Sequence, residues 1–214
     1  MSSIYFYYAS NGIYKILNEL DIKEDEEVLV PAWICDEALQ SYKLKNCNLI
    51  FYQTNILNLS INLDDLISKI SINTKLIHIV NNFGILQDWL NIKNNLKQFN
   101  IPILEDNAYT FNSSVTSGEK AGTFGDFAVF SFRKVMPIGN GAMLNSNRNL
   151  NLKELKPSKL YYTNELKRLV FFFIDMISLR FGYIFRSIIF KSDINGEYDF
   201  PLFSNDSRIY PNVF

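Results

Sequence analysis

The chain has few of the residues that bind metals or form disulfides. Its 214 residues include two cysteines, Cys35 and Cys47, and a single histidine, His78. Two thiols are too few for a disulfide framework, and one histidine makes them a poor metal-binding set. We therefore predict that both cysteines are small core residues and that the protein holds no metal.

An excess of charge of either sign is also missing. The 21 lysines and arginines balance the 22 acidic residues, and no basic cluster interrupts that balance. This composition argues against a nucleic-acid-binding protein. The first residues lack the charged and then apolar segments of a secretory signal, so we expect a cytoplasmic protein.

Short apolar segments alternate with helix-like segments over the first two-thirds of the chain. The apolar segments predict strands covered on both faces, at residues 28–31, 48–52, 76–80, 101–104 and 127–131. The intervening sequence predicts helices at residues 11–20, 36–44, 63–70 and 89–99. This alternation predicts an α/β fold, a mainly parallel sheet with helices on both faces.

The last third has a different composition. We predict an α/β domain over residues 1–148 and a helical extension over residues 149–214, whose segment 169–190 is long and apolar. Three charged residues within that segment would be costly in hydrocarbon: Asp175, Arg180 and Arg186. They favour a buried helix or helix pair, while an interfacial membrane contact and a membrane span stay as alternatives.

Two predicted strands each lead to a charged residue, Asp106 after residues 101–104 and Lys134 after residues 127–131. Ligands bind at the carboxyl edge of an open parallel sheet, so both side chains are expected in one crevice. A carboxylate keeps a pyridine nitrogen protonated, and a lysine amine condenses with an aldehyde. Together they suit pyridoxal phosphate. Taken alone, each residue has a simpler interpretation. Asp106 would be an acid that caps a helix or lies in a loop after the strand, and Lys134 would be an ordinary surface lysine.

A third segment, Ser10-Asn11-Gly12, precedes an apolar helical stretch. Small polar residues and glycine at a helix N-terminus leave backbone N–H groups available for a phosphate. Ordinary N-capping by Ser10 or Asn11 explains the same residues equally well.

Five segments, taken in order, resemble one enzyme family. They are VLVPAWIC (28–35), KLIHIVNNFG (75–84), LEDNA (104–108), GTFGD (122–126) and FSFRKVMPIGNGAML (130–144). The order is similar to that of the DegT/DnrJ/EryC1/StrS sugar aminotransferases, a branch of the fold type I pyridoxal phosphate enzymes. The resemblance covers residues 5–144.

The resemblance implies a role for each candidate residue. Lys134 would bond to the cofactor's aldehyde carbon, and Asp106 would pair with its ring nitrogen. Ser131 and the turn Ser10-Asn11-Gly12 would hold its phosphate. The implied reaction transfers an amino group, usually from glutamate, to a keto group of a nucleotide-linked sugar, for surface polysaccharide or related deoxyamino sugar biosynthesis. The implied assembly is a homodimer with shared active sites.

The chain departs from the family pattern at three places. Tyr109 stands where the family usually has histidine or glutamine, and Cys35 stands where an aromatic residue commonly stacks on the cofactor. The resemblance also implies that the chain stops about where the family's small C-terminal domain would begin, so residues 149–214 would hold a helical extension and a truncated start of that domain. The chain would then be either a fragment of a split or truncated gene or a shortened relative. An alternative interpretation is therefore a truncated, catalytically incomplete relative that acts as a binding or assembly module.

Overall fold

The computed structural model describes residues 2–138 and 140–148, and also residues 166, 169, 170, 172–174 and 176. The strands are β1 (Ser2–Phe6), β2 (Glu27–Pro31), β3 (Asn48–Tyr52), β4 (Thr74–Val80), β5 (Ile103–Asn107), β6 (Phe127–Ser131) and β7 (Ala142–Ser146). The α-helices up to residue 148 are α1 (Ala9–Glu19), α2 (Asp36–Leu44), α3 (Leu63–Ser68) and α4 (Trp89–Leu96). Short 3₁₀ turns cover Asn82–Gly84, Lys97–Phe99 and Phe132–Lys134.

The seven strands form one sheet in the order β1-β7-β6-β5-β4-β2-β3. Strands β3, β2, β4, β5 and β6 are paired in parallel, and β7 runs antiparallel to both of its neighbours, β6 and β1. The carboxyl ends of the parallel strands therefore lie at one edge of the sheet. The prediction of a mainly parallel α/β sheet is confirmed.

Helices cover both faces of this sheet. Residues of α3 and α4, including Trp89, pack with Ile77 and Ile79 of β4 in one buried apolar cluster. His78 lies between those two residues in sequence, so it faces the opposite side of the strand. There it contacts Tyr42 of α2, and α2 in turn packs against α1.

Strand β5 corrects one of the predicted boundaries. The sequence predicts a strand at residues 101–104 with Asp106 beyond its end, whereas β5 covers Ile103–Asn107 and contains Asp106. Polar side chains are tolerated inside this buried strand because each is hydrogen-bonded. The Asp126 carboxylate also fixes the start of β5 by accepting the Ile103 N–H at 2.8 Å.

The two antiparallel strands, β1 and β7, were not among the predicted strands. Their short sequences, SSIYF and AMLNS, mix polar and apolar residues and lack the continuous apolar pattern of the parallel strands. Pairing compensates for this polarity: the Ser3 hydroxyl donates to the Asn145 side-chain oxygen at 2.8 Å.

The chain divides into two compact units, and the described residues up to 148 all belong to the first. The described residues from 166 to 176 belong to the second and are helical. Most of the apolar segment 169–190 lies outside the described residues, and the predicted boundary between residues 148 and 149 stays a prediction. In the described part of the chain, no helix combines the length and apolarity needed to cross a membrane.

Candidate functional site

Asp106 lies at the carboxyl edge of the sheet, on the next-to-last residue of β5. Its side chain is 6% exposed. The Ala108 backbone N–H donates to Oδ1 of this carboxylate at 2.8 Å. The turn that follows β5 thus holds one carboxylate oxygen.

The other oxygen of Asp106 contacts the single histidine of the chain. His78 Nε2 lies 3.1 Å from Asp106 Oδ2, and His78 Nδ1 lies 2.8 Å from the Tyr42 hydroxyl. Both His78 and Tyr42 are fully buried. Burial, together with the negative charge of Asp106, raises the pKa of the Tyr42 hydroxyl well above 10.0. Sequence reasoning considered His78 only as a metal ligand and missed this contact.

Glu105, which precedes Asp106, faces the opposite side of β5 and fixes a loop. Its carboxylate accepts backbone N–H groups from Gly122 at 2.7 Å, Phe124 at 3.0 Å and Gly125 at 3.3 Å. The amide side chains of Asn81 and Asn107 also donate to it. The segment GTFGD is therefore the loop that Glu105 holds against the sheet before β6 begins.

Lys134 follows β6, in the 3₁₀ turn Phe132–Lys134. Its ammonium lies 3.8 Å from the centroid of the Tyr109 ring, within the range of a cation–π interaction. The Tyr109 ring in turn packs against Phe83 at a centroid distance of 5.5 Å. Tyr109, one of the departures from the family pattern, thus contacts the candidate lysine directly.

A cavity of about 280 Å³ opens beside these groups. Its lining includes Trp33, Cys35, Phe83, Asp106, Ala108 and Tyr109. Burial raises the pKa of the Cys35 thiol, the positive charge of Lys134 opposes this rise, and the negative charge of Asp106 adds to it. Asp106, Cys35 and Tyr109 thus line one cavity, and Lys134, which is not among its lining residues, lies against the Tyr109 ring.

The candidate phosphate-binding residues belong to neighbouring elements at the same edge. Ser131 ends β6 and pairs with Ala142 of β7, which also pairs with Phe6 at the end of β1. Helix α1 begins three residues after Phe6, with Ser10, Asn11 and Gly12 in its first turns. Neither Ser131 nor this part of α1 is among the residues that line the cavity.

Contacts within α1 show what these residues do locally. The Asn11 side-chain oxygen accepts the Tyr8 backbone N–H at 3.1 Å, and the Ser41 hydroxyl donates to the Ser10 carbonyl at 2.6 Å. A Cβ on Gly12 would lie 3.3 Å from a methyl group of Val129, so glycine lets α1 approach β6 closely. Phosphate binding by Ser10, Asn11, Gly12 and Ser131 stays a prediction.

Comparison with known proteins decides the family. The model of the DegT/DnrJ/EryC1/StrS aminotransferase family matches residues 4–156. The chain belongs to this family. Family membership extends over the whole sheet and the candidate site.

The chain is also similar to two curated proteins whose names state a product or an activity. The chain is 31% identical over 144 residues to a GDP-perosamine synthase of Escherichia coli O157:H7, covering 65% of this chain and 39% of the relative. It is 29% identical over 107 residues to a UDP-4-amino-4,6-dideoxy-N-acetyl-beta-L-altrosamine transaminase of Campylobacter jejuni, covering 49% of this chain and 27% of that relative. The chain thus spans two fifths or less of the length of each relative.

A solved aminotransferase structure supports the fold. The aminotransferase TlmJ from Streptoalloteichus hindustanus matches with a TM-score of 0.63 and 22% sequence identity, covering 68% of this chain and 40% of TlmJ. At this identity the likeness establishes the fold, and the chemistry depends on the residues of the site.

Proposed function

We propose that this chain carries the cofactor-binding part of a pyridoxal phosphate-dependent aminotransferase that acts on nucleotide-linked sugars. The observation that supports it most is that Tyr109 lines the same cavity as the Asp106 carboxylate and that its ring lies 3.8 Å from the Lys134 ammonium. The substrate class follows from the two relatives, which are named for a GDP-linked and a UDP-linked sugar.

The charged groups in and beside the cavity fit this cofactor, since Asp106 lines the cavity and Lys134 lies against Tyr109 in its wall. A buried carboxylate favours a protonated ring nitrogen, because opposite charges stabilise the ionised pair. A lysine amine is the group that holds an aldehyde covalently. When bound, pyridoxal phosphate withdraws electrons from the substrate carbon attached to it.

The chain's own residues have separate tasks in this proposal. Asp106 holds a negative charge at the ring nitrogen, and Lys134 holds the cofactor and afterwards moves a proton to or from the substrate carbon. Tyr109 and Trp33 line the cavity beside Asp106. Ser131 and the first turn of α1 are the proposed phosphate contacts, since backbone N–H groups at a helix start favour anions.

The proposal extends to a homodimer. Apolar side chains near the site are exposed, among them Trp33 at 55%, Phe83 at 63% and Ile85 at 63%. Exposed apolar groups of this size beside a cavity are typical of surfaces that a partner covers. Glutamate as amino donor, a cytoplasmic location and a role in surface polysaccharide biosynthesis stay predictions from the family resemblance.

The decisive test is the covalent site of the cofactor. We expect the full chain to develop a visible absorbance band with pyridoxal phosphate, and borohydride reduction to fix one label on Lys134, found by peptide mass spectrometry. Lys134→Arg keeps the positive charge beside Tyr109 but cannot bind the aldehyde, so the band and the label are expected to vanish while the fold persists.

A label on another lysine, or an unchanged band in Lys134→Arg, would contradict the assignment. Unreduced protein that binds the cofactor but shows no loss of the band with any amino donor would favour the catalytically incomplete alternative. That alternative is motivated by the short span of the match, which covers 39% of the length of the GDP-perosamine synthase.

A further inference from the structure

A buried row of three side chains leads from α2 to the wall of the cavity. We propose that His78, held in one tautomer by Tyr42, is a positioning residue that orients the Asp106 carboxylate toward the cofactor's ring nitrogen. The inference rests on the proposed function for its cofactor, but its geometry concerns this chain's residues alone.

The first step concerns Tyr42. Its hydroxyl is fully buried, and burial raises its pKa well above 10.0, so the hydroxyl keeps its proton over the working range of pH. A phenol that keeps its proton can donate a hydrogen bond. The acceptor within reach is Nδ1 of His78, at 2.8 Å.

The second step concerns the ring of His78. An ionised carboxylate can only accept hydrogen bonds, so the 3.1 Å contact with Asp106 Oδ2 needs a proton on Nε2. Nδ1 is then the acceptor for the Tyr42 hydroxyl. With the opposite tautomer, the lone pairs of Nε2 and Oδ2 would face each other in a buried site, which is unfavourable.

The third step concerns Asp106. Its Oδ1 accepts from the Ala108 N–H and its Oδ2 from His78, so both oxygens are held from inside the protein. A carboxylate held at two points has little freedom to rotate. Because Asp106 also lines the cavity, its charge has a fixed position there before any ligand enters.

The backbone around His78 is also held. The Tyr52 hydroxyl donates to the His78 carbonyl at 2.7 Å, and β4 and β5 pair in register with His78 opposite Leu104. A histidine that only filled the core would affect the stability of the fold. A positioning histidine would in addition affect the affinity for the cofactor, and the two roles can therefore be separated.

The tautomer can be measured without the cofactor. His78 is the only histidine of the chain, so the ¹⁵N-labelled full chain gives one imidazole spin system that needs no assignment. At mildly alkaline pH we expect couplings that show a proton on Nε2 alone, because Nε2 is the nitrogen that faces the carboxylate. A proton on Nδ1 alone, or on both nitrogens, would overturn the inference.

Two amide variants test the link to Asp106. In His78→Gln the longer side chain places its amide near the position of Nε2, where it can donate to Asp106. In His78→Asn the shorter amide reaches only the position of Nδ1 and keeps the contact with Tyr42. Both variants bury an amide in place of the imidazole, so they are matched in polarity.

In His78→Asn we expect the Kd for pyridoxal phosphate to rise about tenfold or more, because the hydrogen bond to the charged Asp106 carboxylate is lost. In His78→Gln, which keeps a donor to Asp106, we expect the Kd to rise by less than about threefold. Equal affinities in the two variants, with both folded by circular dichroism, would overturn the positioning role. Absence of cofactor binding by the unmodified chain would contradict the proposed function instead, and the tautomer would still decide whether Tyr42 and His78 act as inferred.

Discussion

Tyr109 is the residue at which this chain differs most visibly from its family pattern. Its ring face covers the Lys134 ammonium at 3.8 Å, and Phe83 supports the ring from behind. An aromatic face stabilises the charged form of an amine and also shields it from reagents. Tyr109 therefore restrains Lys134 in the cofactor-free protein, a role that neither histidine nor glutamine performs in the same way.

We predict that Tyr109→Leu makes Lys134 more reactive toward an acetylating reagent, whereas Tyr109→Phe leaves its reactivity close to that of the unmodified chain. Loss of a cation–π interaction of about 0.5–1 kcal/mol corresponds to a rate increase of roughly two- to fivefold. Mass spectrometry at limiting reagent measures this rate, with the exposed Lys97 as internal reference. Equal rates in the leucine and phenylalanine variants would contradict the role of the ring.

At the scale of elements, a single carboxylate joins β5 to the loop that leads into β6. Glu105 accepts three backbone N–H groups from residues 122–125, and Gly125 packs so closely that a Cβ there would lie 2.8 Å from two backbone carbonyl oxygens. The position of β6, and hence of Lys134 after it, depends on this junction.

We predict that Glu105→Gln lowers the free energy of unfolding by about 3 kcal/mol, because an amide NH₂ placed against N–H donors leaves at least two of them unsatisfied at about 1–3 kcal/mol each. Urea unfolding measures the difference. Glu119→Gln is the control, since Glu119 is exposed and its change should cost less than about 0.5 kcal/mol. A similar cost for both variants would show that Glu105 does not anchor the loop.

Sequence patterns predicted the elements that have a continuous or periodic apolar pattern and missed those whose polarity is compensated by partners. Helix α2 was predicted at its observed bounds, because its periodicity comes from one buried face. The end of β5 was placed too early, since several of the groups that satisfy its polar residues, among them His78 and the loop at residues 122–125, are distant in sequence. His78 was missed for the same reason: Tyr42 and Asp106 come from separate elements, and no spacing along the chain brings the three together.

At the scale of the whole molecule, alkaline pH acts on stability through buried phenols. Burial raises the pKa of Tyr42 and of Tyr52 well above 10.0, so the folded chain keeps protons that the unfolded chain releases. The folded state binds more protons in this range, and stability must therefore fall as pH rises above about 10. Below that pH both states carry neutral phenols, and this contribution to stability is fully present.

Tyr52→Phe isolates the contribution of one phenol. At neutral pH the variant should be less stable than the unmodified chain by about 1 kcal/mol, because the hydrogen bond to the His78 carbonyl at 2.7 Å is lost. Above about pH 10 the unmodified chain should lose about 1.4 kcal/mol per pH unit through Tyr52 alone, a loss that the variant does not share. Contributions from Tyr42 and from the thiols are common to both proteins and cancel in the difference. Urea unfolding at several pH values should therefore show the two stability curves converging above about pH 10 and crossing at about pH 11. A constant difference between the curves would mean that Tyr52 titrates alike in the folded and unfolded chains.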